Sequence, residues 1–310
     1  MRNADKCDKM SIKMQRGTYN MVYSPLRYPG GKAKLAPFME EIVKKTGHVG
    51  GTYIEPFAGG AGIALELLEK GTVNEIVIND LDKGIYSFWR AILSETDRFI
   101  EKIESVPLTI NEWNNQKNII KDLGNKYSFE LGFATFYMNR TNRSGIIKGG
   151  VIGGVSQNGN WKMDARFNRG TLVERIIRIA KKKKRIHIYN KDVYSLIKNY
   201  LPIYGDNTFV YFDPPYFNKG KQLYLNFFSY EDHVRIEKML TKLVSCDWVI
   251  SYDDVQEIAD IYSNHTLRRF DLNYSASVKR KASEIIVFKT EGMIPSIKKL
   301  SNKGICINFR

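Results

Sequence analysis

Short apolar runs rich in β-branched and aromatic residues alternate along the chain with longer runs whose apolar positions recur at helical spacing. The short runs predict strands that begin near residues 52, 75, 185, 208, 248 and 284. Helical spacing predicts helices after Lys32, at 63–68, near 96–105 and 110–123, and at 172–179. A strand, a glycine-rich loop and an amphipathic helix come first, which indicates a βαβ unit and an α/β fold with parallel strands.

The loop of this first unit, residues 56–62, is rich in glycine. Gly59 and Gly60 allow the backbone to approach a ligand closely. The next strand ends at Asp80, which lies 20 residues beyond Gly60, the interval at which an acidic side chain meets ribose hydroxyls in nucleotide-binding folds. The two features together predict a nucleoside-binding half of the molecule.

The strand at 208–212 ends in Asp213-Pro214-Pro215-Tyr216. Two prolines hold the backbone extended and present carbonyl groups, so an acidic side chain, a rigid carbonyl and an aromatic face meet at the carboxyl edge of the sheet. This combination suits a planar amino group on an aromatic ring, because the carboxylate and a proline carbonyl can each accept one N–H while the tyrosine stacks on the ring. A strand end with a Pro-Pro turn and no ligand is the alternative.

A glycine pair also occurs near the start of the chain, in the turn that contains Gly30 and Gly31. Tyr28 and Lys32 flank this turn, which predicts that Lys32 lies near the start of a helix. Lys32 is either a ligand contact or a solvated surface charge.

Charge and cysteine content narrow the class of protein. The 310 residues contain 48 Lys and Arg against 33 Asp and Glu, a net charge of +15. This excess favours an anionic partner, nucleic acid first and an acidic membrane surface second, although a merely basic protein is also compatible. Cys7, Cys246 and Cys306 are isolated, which favours a reducing compartment. No metal-ligand spacing and no apolar run of about 20 residues occurs, so we expect a cytoplasmic protein without a metal or a membrane span.

Residues 95–175 differ in composition, with glycine, amide and basic residues concentrated in them. Asn139, Arg140, Arg143 and Lys148 are of the types that read base edges or hold phosphates. A second basic segment between the last two predicted strands ends in Lys279, Arg280 and Lys281. Each segment is either a solvated surface feature or part of a DNA interface.

Taken in order, these motifs resemble those of the Dam-type DNA adenine-N6 methyltransferases. The resemblance runs from Leu26 to Phe288 and rests on residues 27–32, 55–60, 79–80, 139–140 and 213–216. It implies a Rossmann-like, S-adenosylmethionine-dependent methyltransferase sheet with an inserted, mainly helical target-recognition domain. The expected boundaries are an N-terminal extension at 1–22, a catalytic core at 23–94 and 176–290, a recognition domain at 95–175 and a tail at 291–310.

The resemblance also implies roles for single residues. Methyl transfer to N6 of an adenine flipped out of double-stranded DNA is assigned to Asp213, Pro214, Pro215 and Tyr216. The expected cofactor contacts are Tyr28, Gly30, Gly31, Lys32, Glu55, Pro56, Phe57, Gly59, Gly60, Asp80, Asp192 and Asp213. The expected DNA contacts are Asn139, Arg140, Arg143, Lys148, Lys279, Arg280 and Lys281.

One departure affects specificity. Members that read GATC have an arginine-containing hairpin just after their Asn-Arg, whereas this chain has the glycine-rich stretch 145–154. The recognised DNA sequence is therefore not predicted. A monomer is expected, and any cognate restriction endonuclease would be a separate chain. A methylase for RNA or for a protein glutamine, and a DNA-binding protein on an inactive methylase fold, are the alternative functions.

Overall fold

A seven-stranded sheet forms the centre of the computed structural model, which describes residues 22–27, 32–122, 127–217, 228–274, 280–296, 298 and 300, with the backbone alone at 271–274 and 280–282. The strands are β1 Thr52–Glu55, β2 Glu75–Asn79, β3 Ile186–Tyr189, β4 Thr208–Phe212, β5 Asp247–Asp253, β6 Thr266–Tyr274 and β7 Arg280–Phe288. The predicted α/β class is confirmed, and six of these strands are those predicted from the apolar runs. β6 was not predicted.

The order of the strands across the sheet is β3-β2-β1-β4-β5-β7-β6. The first five are mutually parallel, and β7 is antiparallel to both β5 and β6. The chain moves outward from β1 to β3 and then returns to β4 beside β1. The carboxyl ends of β1 and β4 therefore meet where the direction of winding changes, which is the place where open α/β sheets bind ligands.

Helices cover both faces of the sheet. The α-helices are α1 Ala36–Lys45, α2 Gly62–Glu69, α3 Lys83–Ser94, α4 Thr96–Ser105, α5 Ile110–Asp122, α6 Phe129–Thr141, α7 Arg169–Ala180, α8 Val193–Ser195, α9 Tyr230–Leu243 and α10 Gln256–Ile261. A π-helical turn at Leu196–Tyr200 follows α8, and 3-10 helices occupy Lys32–Leu35, Arg143–Gly145, Met163–Arg166, Lys183–Arg185, Leu201–Tyr204 and Glu291–Met293. Side-chain caps begin several of the helices, with Asp82 accepting from the backbone of α3 and Ser128 from that of α6.

Alternate residues of the central strands enter two separate cores. Tyr53 and Phe209 are buried on one face, while Ile54 and Val210, the next residue of each strand, are buried on the other. All four are fully buried. Since successive side chains of a strand point to opposite faces, burial of both sets requires helices on both sides, as parallel sheets generally show.

Helices α3 and α6 approach each other closely through glycine. Gly132 of α6 faces Ser87 of α3, and a methyl group at Gly132 would lie 2.5 Å from the Ser87 carbonyl oxygen. One turn away, Gly84 near the start of α3 faces Thr135 of α6. The helices thus run in opposite directions, and the last turn of α6 extends beyond the start of α3, over the carboxyl edge of the sheet.

An aromatic cluster continues from α3 into the helices that follow. The Phe88 ring of α3 stacks on Phe136 of α6 at 5.9 Å and meets Phe99 of α4 at 5.8 Å between ring centroids. The core therefore crosses the expected boundary at residue 95, and division of the chain into a catalytic core and a recognition domain stays a prediction. None of the helices in the described ranges is both long and apolar enough to span a bilayer.

Candidate active site

A cavity of about 780 Å³ opens at the carboxyl edge of β1, β2 and β4. Its wall comes from the loops after these strands, from the segment before α8, from the end of α6 and from residues within 22–27 and 32–33. Most predicted site residues that the structure describes line it. They are Lys32, Glu55, Pro56, Phe57, Gly60, Asp80, Asp192, Asp213 and Pro215, together with Asn139, Arg140 and Lys148.

Asp80 ties the end of β2 to the glycine-rich loop after β1. Its Oδ2 accepts from the Gly59 N–H at 2.9 Å, and its Oδ1 accepts from the Asp82 N–H at 2.9 Å. Burial, helped by the negative charge of Asp82, raises the pKa of Asp80 to about 7. A carboxylate has about four acceptor positions, so Asp80 can still accept from hydroxyl groups in the cavity.

Asn79, the residue before Asp80, joins three of the loops that form the cavity. Its Nδ2 donates to the carbonyl oxygens of Pro56 at 2.9 Å and Lys191 at 3.0 Å, and its Oδ1 accepts from the Lys191 N–H at 2.9 Å. The adjacent Asp192 accepts from the Ser195 N–H at 2.8 Å and thereby caps α8. Asn79 belongs to the sequence motif at 79–80, but the motif predicts no site role for it.

Glu55 is a buried support of the same loop. Its Oε1 accepts from the Ala64 N–H at 3.0 Å in the first turn of α2. Burial raises the pKa of Glu55 to about 8, so the carboxyl group carries a proton at neutral pH. The Phe57 and Phe228 rings, which also line the cavity, meet edge to face with 5.7 Å between their centroids.

Lys32 is buried beside Asp213, and both residues line the cavity. Its Nζ is 2.6 Å from Asp213 Oδ1, 2.8 Å from Ser251 Oγ and 3.1 Å from Glu284 Oε2. Burial acts to lower the pKa of Lys32, but the negative charges of Asp213 and Glu284 raise it well above its usual value. Lys32 is thus a buried cation shared by two carboxyl groups rather than a solvated surface charge.

Tyr216 is held by the same group of residues. Its hydroxyl donates to Glu284 Oε1 at 2.9 Å, and the Lys32 Nζ lies 5.3 Å from the centre of its ring. Burial also raises the pKa of Glu284 above its usual range. Glu284 and Ser251 were missed by the sequence interpretation, although Glu284 has a recognisable signal because it is an acid at the head of the apolar run of β7.

The two oxygens of Asp213 differ in their surroundings. Oδ1 faces Lys32 and also receives a long hydrogen bond of 3.4 Å from Ser251. Oδ2 has no hydrogen-bond partner among the residues that the structure describes. The side chain is 31% exposed. Asp213 is therefore fixed through one oxygen and has acceptor capacity left on the other.

The predicted DNA contacts that follow one another in and after α6 differ in exposure. Asn139 is 1% exposed, accepts from the Arg27 N–H and donates to the carbonyl oxygens of Arg27 and Gly145. A contact between Asn139 and DNA stays a prediction and would require these bonds to be exchanged. Arg140 is 8% exposed, whereas Arg143 and Lys148 are exposed.

Other predicted contacts are described only in part. Arg280 and Lys281 begin β7, opposite Tyr274 and Asn273, but the structure describes their backbone alone. Four predicted residues lie outside the described ranges, namely Tyr28, Gly30, Gly31 and Lys279. Within those ranges no group of three or more His, Cys, Asp or Glu could hold a metal ion.

Comparison with known proteins identifies sequences and structures that the chain resembles. The family model described as D12 class N6 adenine-specific DNA methyltransferase matches residues 28–276. The Type II methyltransferase M.MjaIII of Methanocaldococcus jannaschii is 25% identical over 242 residues, which are 70% of this chain and 79% of that protein. The Type II methyltransferase M1.LlaDCHI of Lactococcus lactis subsp. cremoris is 24% identical over 287 residues, 84% of this chain and 93% of that protein.

Among solved structures, the rRNA methyltransferase aviRa from Streptomyces viridochromogenes aligns with 86% of this chain and 88% of its own. The TM-score is 0.33 and the identity 13%, values too low to bear on function.

Proposed function

The chain belongs to the D12 class of N6 adenine-specific DNA methyltransferases, and from this premise we propose how its residues carry out the reaction. The protein transfers a methyl group from S-adenosylmethionine to N6 of adenine at specific sites in DNA. The observation that carries the proposal is that Asp213, paired with the buried Lys32, lines the same cavity as Asp80.

The cavity fits the cofactor in size and chemistry. A volume of about 780 Å³ is within the range of small-molecule sites, about 300–1,000 Å³. Asp80 can accept from ribose hydroxyls, while Phe57 and Asp192 would contact the adenine ring and its polar edge. The predicted contacts of Tyr28, Gly30 and Gly31 complete this set. When bound, S-adenosylmethionine supplies an electrophilic methyl group on a sulfonium.

The role proposed for Asp213 follows from the weakness of the nucleophile. The lone pair of adenine N6 is delocalised into the ring, so hydrogen bonds from both N6 hydrogens help to shift the nitrogen toward a nucleophilic geometry. Asp213 Oδ2 and the Pro214 carbonyl would accept these two hydrogen bonds. An ionised carboxylate accepts only, and the bond from Lys32 to Oδ1 orients it. Positioning of this kind supplies much of the rate in a direct transfer without a covalent enzyme intermediate.

Tyr216 would stack on the target base. An adenine inside a duplex cannot reach Asp213, so it must be flipped out at a cost of a few kcal/mol and be stacked again in the protein. The hydroxyl of Tyr216 is bound to Glu284, which fixes the position of the far end of the ring. Pro215, which is buried against the cavity, limits the movement of the backbone between Asp213 and Tyr216.

Contacts with the remainder of the duplex are proposed for residues on two segments. Arg143 and Lys148 are exposed in the loop after α6, and Asn139 holds this loop to residue 27. Arg280 and Lys281 at the start of β7, and Lys279 before them, would bind phosphates. Base contacts are expected from residues 95–175, the proposed recognition domain.

The biological role is proposed from the relatives. The two relatives described above are named as Type II methyltransferases. We infer that this protein methylates its site as a monomer in the cytoplasm and protects DNA from a restriction endonuclease that is a separate chain.

The reaction can be tested by expressing the protein in cells that lack adenine methylation and mapping modified adenines in their DNA by sequencing. The expected result is N6-methyladenine at one recurring short sequence. If methyl groups were found in RNA or protein while the DNA stayed unmodified, the proposal would be contradicted and the alternative methylases would be favoured. The mapped motif would also establish the specificity that the glycine-rich stretch 145–154 does not reveal.

A further inference from the structure

Four arginines gather where the last turn of α6 meets the cavity. Arg140 and Arg175 donate to the adjacent carbonyl oxygens of Pro25 and Ser24. The positive charges of Arg27, Arg175 and Arg166 all act on Arg140. Within the described part of the chain, none of the four forms an ion pair with a carboxylate. A group of arginines without acidic neighbours is a site with capacity for an anion.

Arg140 is the buried member of this group. It is 8% exposed, and its Nη1 makes one long hydrogen bond, 3.5 Å, to the Pro25 carbonyl oxygen. Its Nε is buried and has no hydrogen-bond partner among the described residues. Burial has the larger effect on the pKa of Arg140, and the positive charges of the neighbouring arginines add to it. Together they lower this pKa to about 9, so the side chain remains charged at neutral pH. A buried charge with unused donors is costly unless a ligand pairs with it.

The cavity places this charge where a small ligand can reach it. Arg140 lines the same cavity as Asp80 and Asp213. Lys32, the other buried cation of the cavity, is already shared by two carboxyl groups. Lys148 is exposed, and the Nζ of Lys191 lies over the Tyr200 ring at 5.4 Å. Among described residues, Arg140 is thus the buried cavity cation whose charge is not matched by the protein itself.

We propose that Arg140, supported by Arg27, binds the carboxylate of the methionine part of the cofactor. This rests on the proposed function, in which S-adenosylmethionine occupies the cavity. The planar guanidinium donates two parallel hydrogen bonds to a carboxylate, a pairing that combines charge with geometry. A DNA phosphate is the other anion available, but an arginine that is 8% exposed inside the cavity suits the end of a small molecule better than a duplex backbone.

The test compares two ligands that differ by one group. Binding of S-adenosylmethionine and of decarboxylated S-adenosylmethionine is measured by calorimetry without DNA, on the wild-type protein and on Arg140→Met. Arg143→Met is the matched control, since Arg143 lies on the same segment but is exposed. The wild-type protein should prefer the carboxylated ligand by about 10- to 100-fold, the range for a hydrogen bond between charged groups.

Arg140→Met should reduce this preference to less than about threefold, mainly by lowering the affinity for S-adenosylmethionine. Arg143→Met should keep the wild-type ratio of the two affinities. Equal binding of both ligands to the wild-type protein would overturn the inference without any variant. A preserved ratio in Arg140→Met would also overturn it. If that variant instead lost affinity for a DNA duplex, measured by fluorescence anisotropy, the arginine would be a phosphate ligand.

Two controls separate this outcome from other failures. Thermal melting shows whether Arg140→Met folds, and Arg140→Lys, which keeps the charge but not the planar fork, should retain an intermediate preference. If the wild-type protein bound neither ligand, the proposed cofactor site itself would be refuted. Equal binding of both ligands refutes only the role of Arg140.

Discussion

Replacement of Lys32 by methionine should destabilise the protein strongly, and a second substitution at Glu284 should restore part of the loss. The Lys32 Nζ is 2.6 Å from Asp213 and 3.1 Å from Glu284, and the side chains of Lys32 and Glu284 are each 2% exposed. Removing one partner of a buried ion pair costs about 3–5 kcal/mol, because the other is left without compensation. Without Lys32, Glu284 would be a buried carboxyl group with no compensating positive charge from that lysine.

Glu284→Gln removes the unpaired charge but keeps an amide oxygen that can accept from Tyr216. The double variant should therefore be more stable than the sum of the two single effects, by a coupling free energy of about 1–3 kcal/mol. The measurement is urea unfolding of the wild-type protein, both single variants and the double variant at pH 7, followed by tryptophan fluorescence.

A matched control is the surface pair of Lys44 and Glu40, whose side chains are 36% and 16% exposed. The cycle of Lys44→Met with Glu40→Gln should show a coupling of less than about 1 kcal/mol, as exposed pairs generally do. If the Lys32 and Glu284 effects were additive, or if Lys32→Met cost less than about 1 kcal/mol, the buried network would not hold Asp213 as inferred.

Three further predictions concern the cofactor end and the helix packing. The pKa of about 8 for Glu55 lies above its usual value, so its stabilising effect is complete below about pH 4.5 and is lost as the pH rises through 8. Glu55→Gln should therefore lie close to the wild-type free energy of unfolding near pH 5 and exceed it by about 4 kcal/mol at pH 9, and a pH-independent difference would contradict this. Asp80→Asn should weaken S-adenosylmethionine binding by about tenfold or more, measured by calorimetry, because its amide nitrogen would face a backbone N–H; an unchanged Kd would disprove the role. Gly132→Ala should lower the free energy of unfolding by about 1–3 kcal/mol, because the added methyl group would clash with Ser87. The control Gly150→Ala, whose methyl group would meet nothing within 4 Å, should change stability little. Thermal melting measures both, and equal effects would refute the close packing.

The sheet and the acidic ends of its strands could be predicted because their signals are local. Asp213 follows an apolar run directly and Asp80 follows one after Asn79, so the parallel arrangement alone brings them to one edge. β6 was not predicted, since its role depends on pairing with β7 rather than on its own pattern. The contacts of Lys32 with Ser251 and Glu284 join residues 219 and 252 positions apart, and only the order of the strands brings them together.

The environment of α6 shows a different limit. Residue type indicates which groups Asn139 and Arg140 could bind, but not which way they face. From Phe129 to Thr141 every residue of α6 except Glu130 is buried, so helical periodicity offers no exposed face to predict. Asn139 consequently bonds to the backbone at Arg27 and Gly145, in contacts that the sequence cannot reveal.

The central claim is that the Asp213 carboxylate, held by Lys32, activates adenine N6 for methyl transfer. The direct test is single-turnover formation of N6-methyladenine in a duplex that contains the mapped site, by the wild-type protein and by Asp213→Ala. The variant should lose at least about a hundred- to a thousandfold in rate. It should still bind S-adenosylmethionine and the duplex measurably, and it should remain folded. An Asp213→Ala enzyme that methylates adenine at a rate near that of the wild-type protein would contradict the claim.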